Sequence, residues 1–426
     1  ITDSLFLKKY YVSINPKALM KKRVIVFFIV CIAAVMSVTA QTAESYFTAG
    51  LEKAKKGLLK EALAELTKAI ELNPQFVNAY INRGIAKANL GDKNGAIADY
   101  TKAIELNPRI AEAYSNRGSA KRNLGDKYGA IADYTKAIEV NPQFALAYSN
   151  RGAVKSDLGD KKEAIADYTK AIEVNPQFVN AYINRGIAKA NLGDKYGAIA
   201  DYTKAIEINP QLAEAYSNRG LAKASLGENE SAIADFNKAV ELNPQYAKAY
   251  DDRGTTKFDL GDKEGAIADY TKAIEVNPQY ADAYYNRGVA KAALGDKYAA
   301  IADYTKAIEV NPQYADAYYN RGYAKDELGD KNGAITDYTK AIEINPQFAK
   351  AYSNRGVAKA SLGDKEGAIA DWTKAIEVNP QYADAYYNRA ITYYNEGKTT
   401  LACADLQKAK ELGLKQAAAM IEENCK

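Results

Sequence analysis

The sequence predicts an all-α fold, a superhelical α-α solenoid of stacked helix pairs, and three features support this. Ten of the eleven prolines recur at a fixed step of 34 residues from Pro74 to Pro380, with only Pro16 outside the series. Each period contains two segments whose apolar residues have helical spacing. A short glycine turn separates the two segments. A period of this length is typical of a paired-helix repeat.

The period 77–110 shows how one unit is built. Gly91 can adopt the left-handed conformation that ends a first helix, and Asp92 can cap the second helix. Pro108 disfavours a helical conformation in Asn107, so the second helix is expected to end there. The unit is therefore a helix, a tight turn, a second helix and a break. One such pair cannot bury its apolar face, but a stack of pairs can.

These residues resemble the tetratricopeptide repeat family. Its pattern has an aromatic residue at positions 4, 11 and 24, Gly or Ala at position 8, Ala at positions 20 and 27, and Pro at position 32. The residues at those positions of the period 77–110 are Tyr80, Gly84, Lys87, Ala96, Tyr100, Ala103 and Pro108. Two departures are Arg83 at position 7, where Leu is usual, and Lys87 at position 11, where an aromatic residue is usual. The resemblance implies a right-handed superhelix whose first helices line the concave side.

The resemblance covers residues 43–416 in about eleven repeats, followed by a capping helix at 415–426. Positions are counted below from the first residue of each repeat. The repeats begin at residues 43, 77, 111, 145, 179, 213, 247, 281, 315, 349 and 383.

A repeated pair of charges accompanies the departure at position 7. Arg stands at position 7 and Asp at position 23 in every repeat from the second to the eleventh, beginning with Arg83 and Asp99. These positions should face each other in an antiparallel helix pair. We expect a partly buried Arg–Asp pair inside each unit. The alternative is two solvated charges inherited from one duplicated ancestor.

The N-terminal segment is predicted to be a secretory signal peptide at residues 20–40. A basic stretch precedes a 13-residue apolar run, Val24 to Met36, and Ala40 ends a small-residue cleavage site. The run is shorter than the roughly 20 residues of a membrane span. Residues 1–19 are expected to be an upstream extension outside the translated protein, which would begin at Met20. We therefore expect an exported protein, periplasmic or secreted. A retained N-terminal membrane anchor is the alternative.

The charge of the chain gives no support for nucleic-acid binding. The first 40 residues hold six Lys or Arg and one Asp, so their removal leaves 51 basic and 52 acidic residues, a net charge of −1. Lysines alternate with acidic residues in every unit, as on a solvated face. No nucleic-acid partner and no stable membrane span after processing are expected.

The sequence also lacks the usual residues of an active site. It has no histidine, the commonest general base and metal ligand, and no glycine-rich phosphate loop. A catalytic pair should be a singular feature in a periodic chain, and none is present. We expect no enzymatic activity, no metal, no cofactor and no small-molecule substrate.

Two cysteines lie near the C-terminal end, where the period breaks down. The eleventh repeat lacks the closing proline, and a final helix is expected after Gly413. If that helix runs antiparallel to helix 399–412, Cys403 and Cys425 lie opposite each other. Disulfides persist in exported proteins, so we expect a bond that pins the capping helix. The alternative is two small buried residues.

A row of asparagines recurs at position 6 of the first helices. In the second to eleventh repeats the only exception is Asp252. A carboxamide both donates and accepts hydrogen bonds, so it can pair with one peptide unit of an extended chain. The row resembles the asparagine ladder of some tetratricopeptide solenoids, which holds extended peptides in the concave groove. The alternative is a helix residue copied by recent duplication. The asparagines are Asn82, Asn116, Asn150, Asn184, Asn218, Asn286, Asn320, Asn354 and Asn388.

Positions 2, 5, 9, 12 and 13 are also expected to face this groove, and their composition changes at the seventh repeat. The later repeats add Asp and Glu, together with aromatic residues. This part of the groove should be aromatic and acidic, which favours a basic partner. Drift on a solvated face is the alternative. The candidate aromatic binding residues are Tyr285, Tyr319 and Tyr387 at position 5 and Tyr323 at position 9.

These observations predict a non-enzymatic scaffold that binds an extended peptide segment of a partner protein in its groove. The competing prediction is a structural spacer or self-assembling scaffold of the cell envelope with no dedicated peptide ligand.

Overall fold

The computed structural model describes residues 42–425, and all regular secondary structure in that part of the chain is helical. The predicted extension 1–19 and signal peptide 20–40 lie outside the described residues. The chain divides after Leu192 into two compact units, 42–192 and 193–425 as far as they are described. No helix within residues 42–425 is both long and apolar enough to cross a membrane.

The first unit consists of helix pairs, each made of a first and a second helix, and ends with one first helix. Its helices are α1 (42–55), α2 (Leu59–Leu72), α3 (Val77–Asn89), α4 (Lys93–Leu106), α5 (Ala111–Asn123), α6 (Lys127–Val140), α7 (Ala145–Asp157), α8 (Lys161–Val174) and α9 (Val179–Asn191).

The second unit continues the same alternation from a second helix and ends with one additional helix. Its helices are α10 (Lys195–Ile208), α11 (Ala213–Ala224), α12 (Asn229–Leu242), α13 (Ala247–Asp259), α14 (Lys263–Val276), α15 (Ala281–Ala293), α16 (Lys297–Val310), α17 (Ala315–Glu327), α18 (Lys331–Ile344), α19 (Ala349–Ser361), α20 (Lys365–Val378), α21 (Ala383–Asn395), α22 (Thr399–Glu411) and α23 (Lys415–Asn424).

The turn inside each pair has the predicted chemistry. Gly91 has φ of 91°, in the left-handed region, and Asp92 accepts a hydrogen bond of 2.8 Å from the backbone N–H of Gly95 at the start of α4. The second helix α4 ends at Leu106, two residues before the proline. Four second helices are exceptions without a side-chain cap, those that follow Leu58, Asp160, Glu228 and Lys398.

Small residues allow the two helices of a pair to approach closely. A Cβ atom added at Gly84 would lie 2.6 Å from the ring of Tyr100, so only glycine fits there. Alanines at positions 3, 20 and 27 are buried throughout the two stacks. Trp372, which replaces the tyrosine of position 24 in the tenth repeat, is only 2% exposed and is a core residue.

The predicted Arg–Asp pairs are confirmed for all nine pairs whose two residues lie in one unit. The guanidinium of Arg83 donates to both carboxylate oxygens of Asp99, at 2.9 and 2.7 Å. The other pairs have the same two-pronged geometry, and each aspartate is buried. They are Arg117–Asp133, Arg151–Asp167, Arg219–Asp235, Arg253–Asp269, Arg287–Asp303, Arg321–Asp337, Arg355–Asp371 and Arg389–Asp405.

Each arginine also joins its own repeat to the preceding one. Arg117 donates to the hydroxyl of Thr101 in the second repeat, at 3.2 Å, and its guanidinium lies 5.7 Å from the ring centre of Tyr114. Lys121, at position 11, places its amine 2.8 Å from Asp133. The position-11 lysine therefore completes a charge network. The sequence analysis recognised that lysine only as a departure from the family pattern.

Within each unit, the first helices of successive repeats contact each other directly, as α5 does with α7 and α15 with α17. The second helices of successive repeats are farther apart. The first helices therefore line the inner side of each stack.

The C-terminal end has the predicted capping helix. Ala417 of α23 is buried against Leu406 and Ala409 of α22, while the charged residues of α23 are exposed. The structure joins the sulfur atoms of Cys403 and Cys425, whose Cα atoms are 5.7 Å apart. The oxidised state of this pair in the natural protein stays a prediction.

Candidate functional site

The candidate site is the solvent-facing surface of the first helices, on the inner side of each stack. It is here called the first-helix face and is defined by positions 2, 6, 9 and 13 of each repeat. Positions 2 and 13 are exposed in every repeat from the second to the eleventh, and position 6 is half-buried in all ten. Position 9 ranges from half-buried to exposed. The nine candidate asparagines thus lie in a half-buried row with exposed side chains on either side.

The prediction that position 5 faces the groove is wrong in six repeats, because the side chain there is buried. First helices of successive repeats contact each other, and the position-5 side chain lies in that junction. In the remaining four repeats, which have Ile81, Tyr285, Tyr319 and Tyr387, the side chain is half-buried. The six buried residues are Ser115, Ser149, Ile183, Ser217, Asp251 and Ser353.

Three asparagines of the row are hydrogen-bonded to the preceding repeat. Each donates its side-chain N–H to the position-5 side chain of the preceding repeat, because that side chain is long and carries an oxygen. The pairs are Asn286 with Asp251 at 3.0 Å, Asn320 with Tyr285 at 2.9 Å and Asn354 with Tyr319 at 3.0 Å.

The other six asparagines are not bound in this way. Asn82 donates to the backbone carbonyl of Asn78 in its own helix, at 2.8 Å. The remaining five make no side-chain hydrogen bond with residues 42–425. The position-5 neighbour of the preceding repeat is Ile81 before Asn116 and Ser115 before Asn150, which are apolar or short. The five asparagines without a partner are Asn116, Asn150, Asn184, Asn218 and Asn388.

The candidate tyrosines fall into two groups. The rings of Tyr285 and Tyr319 pack on Tyr314 and Phe348, with centres 5.0 and 4.8 Å apart, so their main contacts are inside the stack. Tyr323 is 46% exposed and projects from the first-helix face. Tyr387 is half-buried.

The first-helix face of the second unit is acidic, as predicted. In its seventh to eleventh repeats, five carboxylates at positions 2 and 13 are exposed, which leaves them accessible to a cationic partner. Tyr314 donates its hydroxyl to one of them, Asp282, at 2.8 Å. The five are Asp259, Asp282, Asp316, Glu327 and Asp384.

One carboxylate on the first helices of this unit is buried. Asp251 is 6% exposed, and burial raises its pKa to about 6, although hydrogen bonds from Asn286 and Tyr280 oppose that shift. Its neighbour Asp252 also has a pKa raised by burial, and it pairs with Lys248 at 2.6 Å. The acidic residue that replaces asparagine in the seventh repeat is therefore already paired.

The groups on this face are suited to binding rather than to bond-making chemistry. Within residues 42–425 no cluster of carboxylates and cysteines has the arrangement of a metal site. Carboxamides, carboxylates and an exposed tyrosine can hydrogen-bond a polypeptide and stack on its side chains.

Family models match the chain repeatedly. A model described as "TPR repeat" matches residues 50–91, 196–227, 254–295 and 358–397. Two models described as "Tetratricopeptide repeat" match 77–110, 111–144, 145–178, 213–246, 281–314 and 315–348, and 383–412, respectively. Together these matches cover more than half of the chain.

Solved structures of other repeat proteins are similar to parts of the chain. One crystal structure of MamA is 33% identical, with 39% of this chain and 96% of that chain covered and a TM-score of 0.36. YrrB, described as "a TPR protein with an unusual peptide-binding site", is 28% identical, with 43% and 95% covered and a TM-score of 0.38. A tetratricopeptide repeat protein from Parabacteroides merdae ATCC 43184 is 22% identical, with 58% and 98% covered and a TM-score of 0.47.

A comparison with curated proteins finds no match. The family models agree with the structure, in which helix pairs repeat every 34 residues with the glycine, alanine and proline positions described above. The chain belongs to the tetratricopeptide repeat family.

Proposed function

We propose that this protein binds an extended segment of a partner protein along the first-helix face, without catalysing a reaction. The tetratricopeptide repeats make the chain a protein-interaction scaffold. The observation that carries the finer proposal is the row of half-buried asparagines, five of which have no hydrogen-bond partner within residues 42–425.

Three successive asparagines without a partner lie in the first unit. Asn116, Asn150 and Asn184 stand at the same position of neighbouring first helices and have free carboxamides. A half-buried polar group without a partner has lost part of its hydration, which costs free energy. A hydrogen bond from a ligand can offset that cost. An extended backbone offers an N–H and a C=O at every residue, so it can satisfy such a row regardless of its side chains.

The acidic first-helix face of the second unit supports a basic partner. Its exposed carboxylates would attract lysine and arginine side chains and speed association at low salt. We further propose that the protein acts outside the cytoplasm, periplasmic or secreted, after removal of the signal peptide 20–40. The placement of Cys403 and Cys425, whose Cα atoms are 5.7 Å apart, supports this, because it suits a disulfide bond and such bonds are typical of exported proteins.

Site-specific photo-crosslinking tests the binding surface. A photoreactive residue at Asn116 is compared with the same residue at Tyr128, which is 77% exposed on a second helix. We expect proteins from the source cell to be captured at residue 116 and to disappear when Asn150 and Asn184 are changed to alanine. Equal capture at both positions, unaffected by the alanine changes, would contradict the proposal.

A spacer or self-assembling scaffold is the second candidate. The asparagines bound to Asp251, Tyr285 and Tyr319 favour it, because part of the row has a purely internal role. Capture of only a second copy of this chain at residue 116 would support self-assembly instead of binding to a partner.

A further inference from the structure

We propose that a pocket between the tenth and eleventh repeats binds an aliphatic side chain of the partner segment that is immediately adjacent to an Asp or Glu. This rests on the proposed function and assigns the pocket the role of fixing the register of the bound segment. The pocket has a volume of about 310 Å³ and lies between α19 and α21. It is in the size range in which a pocket selects particular groups.

Four of the nine residues that line the pocket are apolar, and these four are here called its base. Val357 and Ala360 of α19 and Ile391 of α21 line it, with Trp372 of α20 beside them. The indole N–H of Trp372 already donates to the backbone carbonyl of Ser353, at 3.1 Å. The base therefore offers carbon atoms to a ligand.

In the third and seventh repeats the equivalent place is polar, because the tyrosine at position 24 reaches a hydroxyl at position 9. The hydroxyl of Tyr134 lies 3.0 Å from that of Ser119, and Tyr270 donates to Thr255 at 3.3 Å. In the tenth repeat, tryptophan and Val357 replace both polar groups. Burial of an aliphatic side chain is favourable in such a site and unfavourable for a polar one.

The rim of the pocket carries an unpaired positive charge. In the second, third and seventh repeats the lysine at position 17 closes the junction by donating to the last residue of the next first helix. Lys263 thus donates to the carbonyl of Ala293, at 3.0 Å, and Lys127 to that of Asp157, at 3.0 Å. Lys365 has the equivalent position but is exposed, and its amine, like that of Lys161, makes no hydrogen bond or ion pair with residues 42–425.

The Lys365 amine borders the eleventh repeat, in which Glu396-Gly397-Lys398-Thr399 replaces the usual Leu-Gly-Asp-Lys at positions 14 to 17. The junction stays open, and the Lys365 amine is left at its edge beside Asn388. A carboxylate next to the buried aliphatic side chain would complement both groups.

The preferred ligand therefore differs from that of the acidic repeats before it. The carboxylates at Asp282, Asp316 and Glu327 favour basic residues, while the pocket favours an aliphatic–acidic pair. A segment with both features would bind in one direction and one register.

A random peptide library with amidated C termini tests the proposal on the full chain. The wild type is compared with Lys365→Gln and with the matched control Lys263→Gln, whose lysine lies at the same position but donates to the carbonyl of Ala293. We expect peptides enriched on the wild type and on the control to contain Leu, Ile, Val or Met beside Asp or Glu. Lys365→Gln should still enrich peptides but without the acidic preference.

Defined peptides give the affinities and a local signal. Replacement of the aliphatic residue by alanine should weaken binding about tenfold, and replacement of the acid by its amide about threefold. Trp372 is the only tryptophan in the sequence, so its fluorescence reports on this pocket. Its emission should change with the matched peptide and not with the alanine peptide.

The outcomes separate the two proposals. Enriched peptides that lack an aliphatic–acidic pair, or that leave Trp372 emission unchanged, would overturn the pocket assignment while leaving segment binding in place. Enrichment of no peptide at all on the wild type would overturn the proposed function and the pocket together.

Discussion

The third to fifth repeats and the eighth to tenth repeats carry the same asparagine at position 6, but the structure gives it two different states. In the earlier group the carboxamides have no partner within residues 42–425. In the later group each donates to Asp251, Tyr285 or Tyr319 of the preceding repeat. The availability of a repeated polar group is therefore set by a neighbour one repeat earlier.

This difference is confined to the first-helix face, because the network beneath it is the same in both groups. Arg117 and Arg321 each bind an aspartate with two hydrogen bonds and a threonine of the preceding repeat. Near-identical repeats can thus share one architecture and still present different surfaces.

The largest expected effect tests this shared network. Arg117→Leu and Arg321→Leu should each lower the local free energy of unfolding by about 3 kcal/mol, because a buried aspartate loses its two-pronged partner. Hydrogen exchange in the affected repeats measures the loss. Similar losses are expected at both positions. A loss at only one position would show that the two groups differ below the surface as well.

The second effect is a pH dependence at Asp251. Its pKa in the folded state, about 6, is above the ordinary value of 3.8, so the folded protein binds this proton more tightly than the unfolded chain. Its contribution to stability is therefore greatest at about pH 4 and falls as the pH rises to about 6. The loss is on the order of 2 kcal/mol.

Unfolding monitored by hydrogen exchange at pH 4, 5, 6 and 7 measures this dependence, with Asp251→Asn as the control. The difference between the wild type and the control should change over that range and level off above pH 6. A constant difference would exclude a raised pKa at Asp251.

The third prediction tests the difference between free and internally bonded asparagines by alanine substitution in pairs. Asn116→Ala with Asn150→Ala should weaken peptide binding about tenfold, since two bonds to a ligand are lost. Asn320→Ala with Asn354→Ala should change binding less than about twofold, because these groups are bound internally. Fluorescence anisotropy with an enriched library peptide measures both. The reverse order would contradict the assignment of free and engaged asparagines.

The smallest effect sharpens the role of position 5. Tyr319→Phe removes the acceptor of Asn354 and should lower the local free energy of unfolding by about 1 kcal/mol. Tyr128→Phe, at an exposed hydroxyl, is the matched control and should have no effect. Equal values for the two variants would mean that the Tyr319–Asn354 bond contributes nothing to stability.

One feature that the sequence analysis missed, the role of the position-11 lysine, had a detectable signal in the sequence. Lysine stands at position 11 wherever arginine and aspartate occupy positions 7 and 23, until Tyr393 replaces it in the eleventh repeat. That joint occurrence pointed to a three-residue network, which Lys121 and Asp133 illustrate. The burial of Ser115 and Asp251 had no such signal, because polar residues at position 5 look like surface residues in a helix.

The helix pairs, their bounds, the Arg–Asp pairs and the capping helix could be predicted from the residues because the causes act within one period. Gly91 permits a left-handed turn, Asp92 caps the next helix, and Pro108 ends it, all through neighbouring backbone atoms. The state of each asparagine and the open pocket beside Lys365 depend on side chains that meet only after repeats stack. Local chemistry therefore encodes the repeat in the sequence, whereas packing between repeats determines which of its copies are free to bind.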